Sequence, residues 1–279
     1  MSYRVVIDSC GELLDRWKDG EVFVSAPLTL EVGGEQIVDD ETFNQASFLK
    51  KVDASPSCPK SACPSPEYYR EQFASESDHV FAVTLSAELS GSYNSAVLGM
   101  NMVKEEQPDK KIYVFNSKSA SVGETLIGMK IEECEQAGMD FEKIIYTVEA
   151  YIANQHTFFV LDNLDTLRKN GRLSNLKAFV ASALKIKPVM GSTEEGQIYQ
   201  LDQARGMNKA LVKMVDYVVE QTRHAENRVL AVSHCNSPER AQMVREAIMA
   251  KMPVKDSILL DTAGVSSMYA NDGGIIVVI

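Results

Sequence analysis

Several short segments of this chain join small hydroxyl residues to a switch from strand to helix, and such places suit an oxyanion. In residues 85–96, LSAELSGSYNSA, an apolar run ends, a turn of Ser and Gly follows, and helical spacing begins. Ser90 fits the N-cap position, Gly91 lets the backbone approach a ligand closely, and Ser92 completes the set. The unpaired N–H groups and the dipole of a first helical turn favour a negative group there. Residues 61–66, SACPSP, hold Ser61 in a proline-stiffened loop ahead of a helix that Pro66 can start. Residues 116–123, NSKSASVG, form a third hydroxyl-rich turn. Residues 268–274, MYANDGG, offer Tyr269 and Asn271 as donors and Gly273-Gly274 for close backbone approach. Taken singly, each segment also reads as ordinary capping or a tight turn.

Acid–base machinery is much poorer. His79, His156, His224 and His234 stand in no partner motif, and G-x-S-x-G, H-E-x-x-H and the phosphate-loop pattern are absent from the sequence. The five cysteines are odd in number and scattered, which suits reduced thiols better than a disulfide framework. Cys58 and Cys63 lie close in sequence but lack further ligands for a metal. No catalytic residue, metal or cofactor is assigned. Hydroxyls without a base favour binding an anion over transforming it. The competing reading is a stand-alone hydrolase or phosphotransferase acting through Ser90 or Ser61, for which no general base is assignable.

The 279 residues are 45% hydrophobic and 24% charged, enough for a large core with interior left for a ligand. A formal net charge of −11 argues against a nucleic-acid partner and against adhesion to an anionic bilayer. Met1-Ser2-Tyr3 leads straight into an apolar strand without a basic leader. The apolar runs are too short to cross a bilayer, so the expected place is the cytoplasm, with no membrane insertion.

Short β-branched runs alternate with helical periods, the pattern of an α/β fold with mostly parallel strands. Strands are expected at 5–7, 22–24, 28–32, 36–38, 80–85, 112–115, 158–161, 186–191, 197–201, 228–232, 257–260 and 275–279. Helices are expected after a Thr42 cap, from Pro66 through Phe73, and on the spacings Ala96/Met100/Val103, Ile127/Ile131/Cys134 and Phe141/Ile144/Val148/Ile152. Others follow at 164–169, at Met207/Leu211/Met214/Val218 and at Ala241/Val244/Ile248. Residues 53–66 read as a loop and Glu195-Gly196 as a hairpin turn. A boundary near 155 divides an N-terminal α/β lobe, 1–155, from a C-terminal α/β lobe, 156–279, with no linker. Such an interface favours a ligand slot.

The order SACPSP, LSAELSGSYNSA, NSKSASVG, LDTLRKNGRLS, IKPVMG, and Ala204-Arg205-Gly206 ahead of a helix resembles the DegV family, from Ile7-Asp8-Ser9 to the last strand. The resemblance implies two α/β lobes with a fatty acid between them. It also implies similarity to the acyl-carrying subunits of bacterial fatty acid kinase, where a separate catalytic subunit phosphorylates the bound carboxylate. The family's carboxylate-binding hydroxyls fall on Ser61, usually Thr in the family, and on Ser90. A family His in a His-Thr-Gly-Pro-Gly run is missing, because residues 269–273 read Tyr-Ala-Asn-Asp-Gly. The Tyr269 phenol is the candidate replacement. Arg168, Arg172 and Arg205 form the candidate docking edge for a kinase subunit.

Overall fold

The computed structural model describes residues 2–18, 20–173 and 185–279. Ser174, the last residue of LDTLRKNGRLS, lies outside them.

The N-terminal half runs β1 (Tyr3–Asp8), α1 (Asp15–Lys18), β2 (Phe23–Ala26), β3 (Thr29–Val32), β4 (Glu35–Val38), α2 (Gln45–Ala54), β5 (Lys60–Ala62), α3 (Pro66–Phe73), β6 (His79–Thr84), α4 (Ser92–Glu106), β7 (Lys111–Asn116), α5 (Val122–Gln136) and α6 (Phe141–Ile152). The rest runs β8 (Thr157–Val160), α7 (Asp165–Lys169), β9 (Ile186–Ser192), β10 (Ile198–Arg205), α8 (Met207–Gln221), β11 (Val229–His234), α9 (Pro238–Met249), β12 (Asp256–Asp261), α10 (Gly264–Ala270) and β13 (Ile275–Val278).

The first sheet has the order β2-β1-β6-β7 and is parallel throughout. Every residue of β6 is buried, as a strand covered on both faces requires. Side chains alternate across it. Val6, Val80 and Ala82 pack with Tyr69, Phe73 and Ala96 of α3 and α4, while Val5, Ile7, Phe81 and Val83 pack with α5 and α6. The expected helix on Phe141, Ile144, Val148 and Ile152 is α6, and those four residues are its buried face.

The second sheet, β10-β9-β8-β13-β11-β12, departs from the expected parallel arrangement: only β11–β12 pair in parallel, and the other neighbours are antiparallel. Two features cause this. The β9–β10 hairpin turns at Gly196, whose φ is +90°. The terminal strand β13 inserts between β8 and β11, antiparallel to both. An apolar run buried on both faces reads the same in either direction, so spacing carried no signal. Phe158, Val160, Ile275 and Val277 face α8 and α9, whereas Phe159, Leu161 and Ile276 face the other way.

A third sheet, β4-β3-β5, is antiparallel, and its edge strand β5 lies in the expected loop at 53–66. Lys60–Ala62 becomes a strand because β3 offers it an edge, with Ser61 opposite Leu30. Asn44, not Thr42, caps α2, accepting from Ser47 N at 2.8 Å; Thr42 instead donates to Asp40.

Candidate functional site

A cavity of about 90 Å³, open to solvent in part, runs between the first and second sheets. Leu85, Leu89 and Ala120 come from turns of the first sheet; Phe159, Ile198 and Ile276 come from the face of the second. Val265 and Ala270 of α10 close a third side.

Four hydroxyl residues of the lining, Ser119, Ser121, Thr157 and Ser266, have their polar atoms engaged. Ser119 Oγ and Thr157 Oγ1 are 2.7 Å apart. Ser121 Oγ lies 2.9 Å from both Glu12 carboxyl oxygens and 2.8 Å from Ser233 Oγ. Ser266 Oγ donates to Cys10 O at 2.9 Å. A polar group already satisfied by protein presents little demand to a ligand, so the wall behaves as carbon.

Polar groups gather around one part of this space. Tyr269, on α10, lines it, and its hydroxyl is 3.4 Å from Ser61 Oγ. Leu89 and Tyr269 pack against the same two apolar clusters. Arg172 also lines the cavity; its Nε donates to Leu89 O at 3.1 Å and its guanidinium to Asn170 O. The SACPSP loop abuts the start of α4, with Cys63 Sγ 3.6 Å from Ser95 Oγ. A Cβ at Gly91 would stand 3.4 Å from the same sulfur.

Ser90 does not cap α4 through its side chain as expected. Gly91 occupies the cap position, and Ser90 Oγ accepts from Ser92 N at 3.2 Å, which leaves its own O–H proton to donate elsewhere. The Ser92 hydroxyl is turned inward. It is fully buried, donates to Asp8 Oδ2 at 2.6 Å and meets Tyr69 Oη at 2.8 Å. That side chain is committed to the core and is withdrawn as a head-group ligand. Asn271 donates to Tyr269 O at 3.0 Å and ends α10 at φ +56°. Among the described residues, Tyr269 is the one candidate that touches the cavity itself, while Ser61 reaches it through Tyr269.

Sequence reasoning missed a set of buried carboxyls behind the cavity. Asp39 accepts from Gly264 N at 2.7 Å, Val265 N at 2.8 Å and Ser9 Oγ at 2.9 Å, and so fixes the start of α10, which carries Tyr269. Burial raises the Asp39 pKa to about 6 despite those donors. Burial likewise pushes Glu12 up to about 8, so Glu12 holds a proton at neutral pH. Asp8, Cys10 and Glu124 place oxygen and sulfur atoms within 4.8 Å of one another, all buried. The only sequence signal for these groups is a charge at the end of the apolar run Val5-Val6-Ile7. His79 is spent on Glu135 at 2.6 Å, and His234 lies 3.3 Å from Asp261.

The sequence model of the DegV family matches residues 2–279. A DegV domain-containing protein of Streptococcus pneumoniae is 35% identical over 254 residues, covering 91% of this chain and 89% of its own. A crystal structure of a DegV family protein from Ruminococcus gnavus, refined with vaccenic acid, is 52% identical with a TM-score of 0.97, covering 100% of this chain and 99% of that one. The fatty acid kinase (Fak) B3 protein of S. pneumoniae, loaded with linoleic acid, is 33% identical with a TM-score of 0.91, again covering 100% and 99%.

Proposed function

This chain belongs to the DegV family, and from that premise we propose that it carries one long-chain fatty acid in the cavity between its sheets. The observation that carries the reading is the cavity itself: carbon walls, four of their hydroxyls satisfied, and Ser61 and Tyr269 meeting at its polar end. An acyl chain of roughly 14 to 16 methylenes offers on the order of 11–13 kcal/mol before ordering costs, at about 0.8 kcal/mol per buried methylene. The head group then needs only to be satisfied, because an unpaired buried carboxylate costs several kcal/mol. Ser61, Tyr269, the Ser90 hydroxyl, and the first amides of α4 beside Gly91 are the donors assigned to it. The fatty acids held by the R. gnavus and S. pneumoniae relatives support the same ligand class.

The division into lobes 1–155 and 156–279 belongs to this reading. It is supported by the short passage from α6 to β8 and by the separate cores on either side. The protein is a carrier and not itself an enzyme. Among the described residues, no His, Asp, Glu or Lys side chain hydrogen-bonds the Ser61 or Ser90 hydroxyl, which weighs against a serine hydrolase or phosphotransferase. No cofactor beyond the lipid is required. All five cysteines are free, which suits the cytoplasm. Among the described residues, no helix is long and apolar enough to cross a membrane.

Native mass spectrometry of the purified protein tests the ligand: a long-chain fatty acid should travel with it, and repeated recovery of empty protein that takes up no labelled acid overturns the reading. A fatty acid kinase catalytic subunit is the proposed partner, as the likeness to the Fak B3 protein supports. Charge reversal at exposed Arg168 or Arg205 should block phosphorylation of the acid and leave lipid retention intact. Arg172 leaves that docking set, because it holds Leu89 O and lines the cavity, so its reversal should release lipid as well.

A further inference from the structure

Asp8 ends β1 with its side chain fully buried. Its carboxylate accepts from Cys10 N at 3.1 Å through Oδ1, and from Leu85 N at 3.0 Å and Ser92 Oγ at 2.6 Å through Oδ2. Leu85 opens the turn after β6, and Ser92 closes it as the first residue of α4. A single oxygen atom therefore ties together both ends of the segment that carries Leu89, Ser90 and Gly91. Tyr69 Oη, from α3, steadies the Ser92 hydroxyl from the far side at 2.8 Å.

We propose that Asp8 is the positioning residue of the head-group turn: by fixing Leu85 N against Ser92 Oγ, it sets where the Ser90 hydroxyl and the first amides of α4 meet a bound carboxylate. This rests on the fatty-acid reading above. It assigns a task to a residue that never touches the ligand.

Glu124, near the start of α5, is the second half of the device. It is fully buried beside Asp8 and Cys10, and neither of its oxygens accepts a hydrogen bond from any N–H or O–H group among the described residues. A bare carboxylate in that place would face another carboxylate with no cation near among the described residues. Burial, and then the adjacent Asp8, push the Glu124 pKa well up towards its neutral form, and burial raises Asp8 as well. With the carboxyl oxygens within 4.8 Å of each other, a proton kept on Glu124 is placed to be offered to Asp8. A cation is the poorer occupant, since the Asp8 oxygens are already filled by three donors. Gly11 permits the approach, because a Cβ there would fall 2.8 Å from Glu124 Cβ.

The test compares binding of hexadecanoic acid and of 1-hexadecanol, which share a chain and differ in the head. Asp8→Asn keeps the shape but sets an amide N–H against donors. Acid affinity should fall tenfold or more while alcohol affinity changes less than about twofold. Ser92→Ala frees one end of the turn and should cost the acid about threefold. Glu124→Gln, which retains a donor towards Asp8, should keep more acid affinity than Glu124→Leu. Should Asp8→Asn fail to fold, Ser92→Ala decides the matter by the same acid-to-alcohol ratio. Equal losses for acid and alcohol, or no loss for either, overturn the positioning assignment. Wild-type protein that binds no hexadecanoic acid overturns the carrier reading instead.

Discussion

The two large sheets contribute to the cavity in opposite ways. In the first, the strands run parallel, so Asp8, Thr84 and Asn116 end at one edge, and the turns after them gather Ser86, Ser90, Ser92, Ser117 and Ser119 there. Crevices at the carboxyl ends of parallel strands are where ligands of open α/β sheets bind. In the second sheet, neighbours are mostly antiparallel and successive strand ends alternate, so hydroxyls gather only beside the parallel pair β11–β12 among the described residues, where Ser233, Thr262 and Ser267 bond within the protein. It offers a face instead, with Phe159, Ile198 and Ile276 set towards the cavity by the two-residue alternation of strands. On the proposed reading, strand direction divides the labour: an edge for the head group, a face for the hydrocarbon.

The sharpest way to break this comparison is to exchange the chemistries. Phe159→Asp puts a carboxylate into the carbon wall, where leaving it unpaired costs several kcal/mol. Fatty acid affinity should fall by more than a hundredfold in a titration with labelled acid, together with lower thermal stability. Retention of affinity near wild type would show that the second sheet is not the wall.

The next effect concerns Glu12, whose protonated form belongs to the folded state. Between its ordinary pKa of 4.5 and about 8, the native protein binds more protons at this site than the unfolded chain does. Stability from this group is complete at low pH and is lost as pH rises through that window, at about 1.4 kcal/mol per pH unit. Glu12→Gln has no proton to lose and can still accept from Ser121. Denaturant titrations at pH 5 and pH 8 should show the variant gaining on the wild type by a few kcal/mol at the higher pH. A constant difference between the two proteins would mean that Glu12 is ionised in the fold.

How far the sequence foretold this division differs between the halves for physical reasons. The α6 face, the Pro66 start of α3 and the turn at Gly196 were legible because amphipathic spacing, fixed φ and positive φ are local properties. Helix α10 was not, since Gly264 to Met268 and Ala270 are all buried and leave no polar face to mark a period. Strand β5 exists only by virtue of the β3 edge. Ser61 and Tyr269 were nameable, yet their meeting depends on β5 and α10, the two elements that spacing could not show. Within Ser90-Gly91-Ser92, sequence cannot tell which hydroxyl turns to the core; the far-away Asp8 decides it.

The joint between the sheets sharpens the comparison with a smaller effect. Gly196, in the β9–β10 turn, accepts from Ser86 Oγ at 2.8 Å, and Gln197 Nε2 donates to Glu88 at 2.8 Å. A Cβ at Gly196 would lie 2.3 Å from Ser86 Oγ and 2.8 Å from Lys118 Cα, at φ +90°. Gly196→Ala should cost about 2 kcal/mol from backbone strain and crowding, or about 4–8 °C of melting temperature. An unchanged melting temperature would mean that the two turns do not meet as described.

The smallest effect tests the polar end. Ser61→Ala and Tyr269→Phe each remove one hydroxyl while leaving the chain wall intact, and each should cost about 1.5 kcal/mol, the low end for a hydrogen bond to a charged group. Because the two hydroxyls lie 3.4 Å apart, they should act on one carboxylate as a unit. A double-mutant cycle on fatty acid affinity should then give a coupling energy of about 0.5 kcal/mol or more, where distant sites would add independently. The head-group origin of the loss is read by repeating the cycle with a fatty alcohol of equal length, which should shrink the coupling. Strict additivity for the acid would separate Ser61 from Tyr269 in function, and the third sheet would lose its link to α10 even though the carbon wall remained.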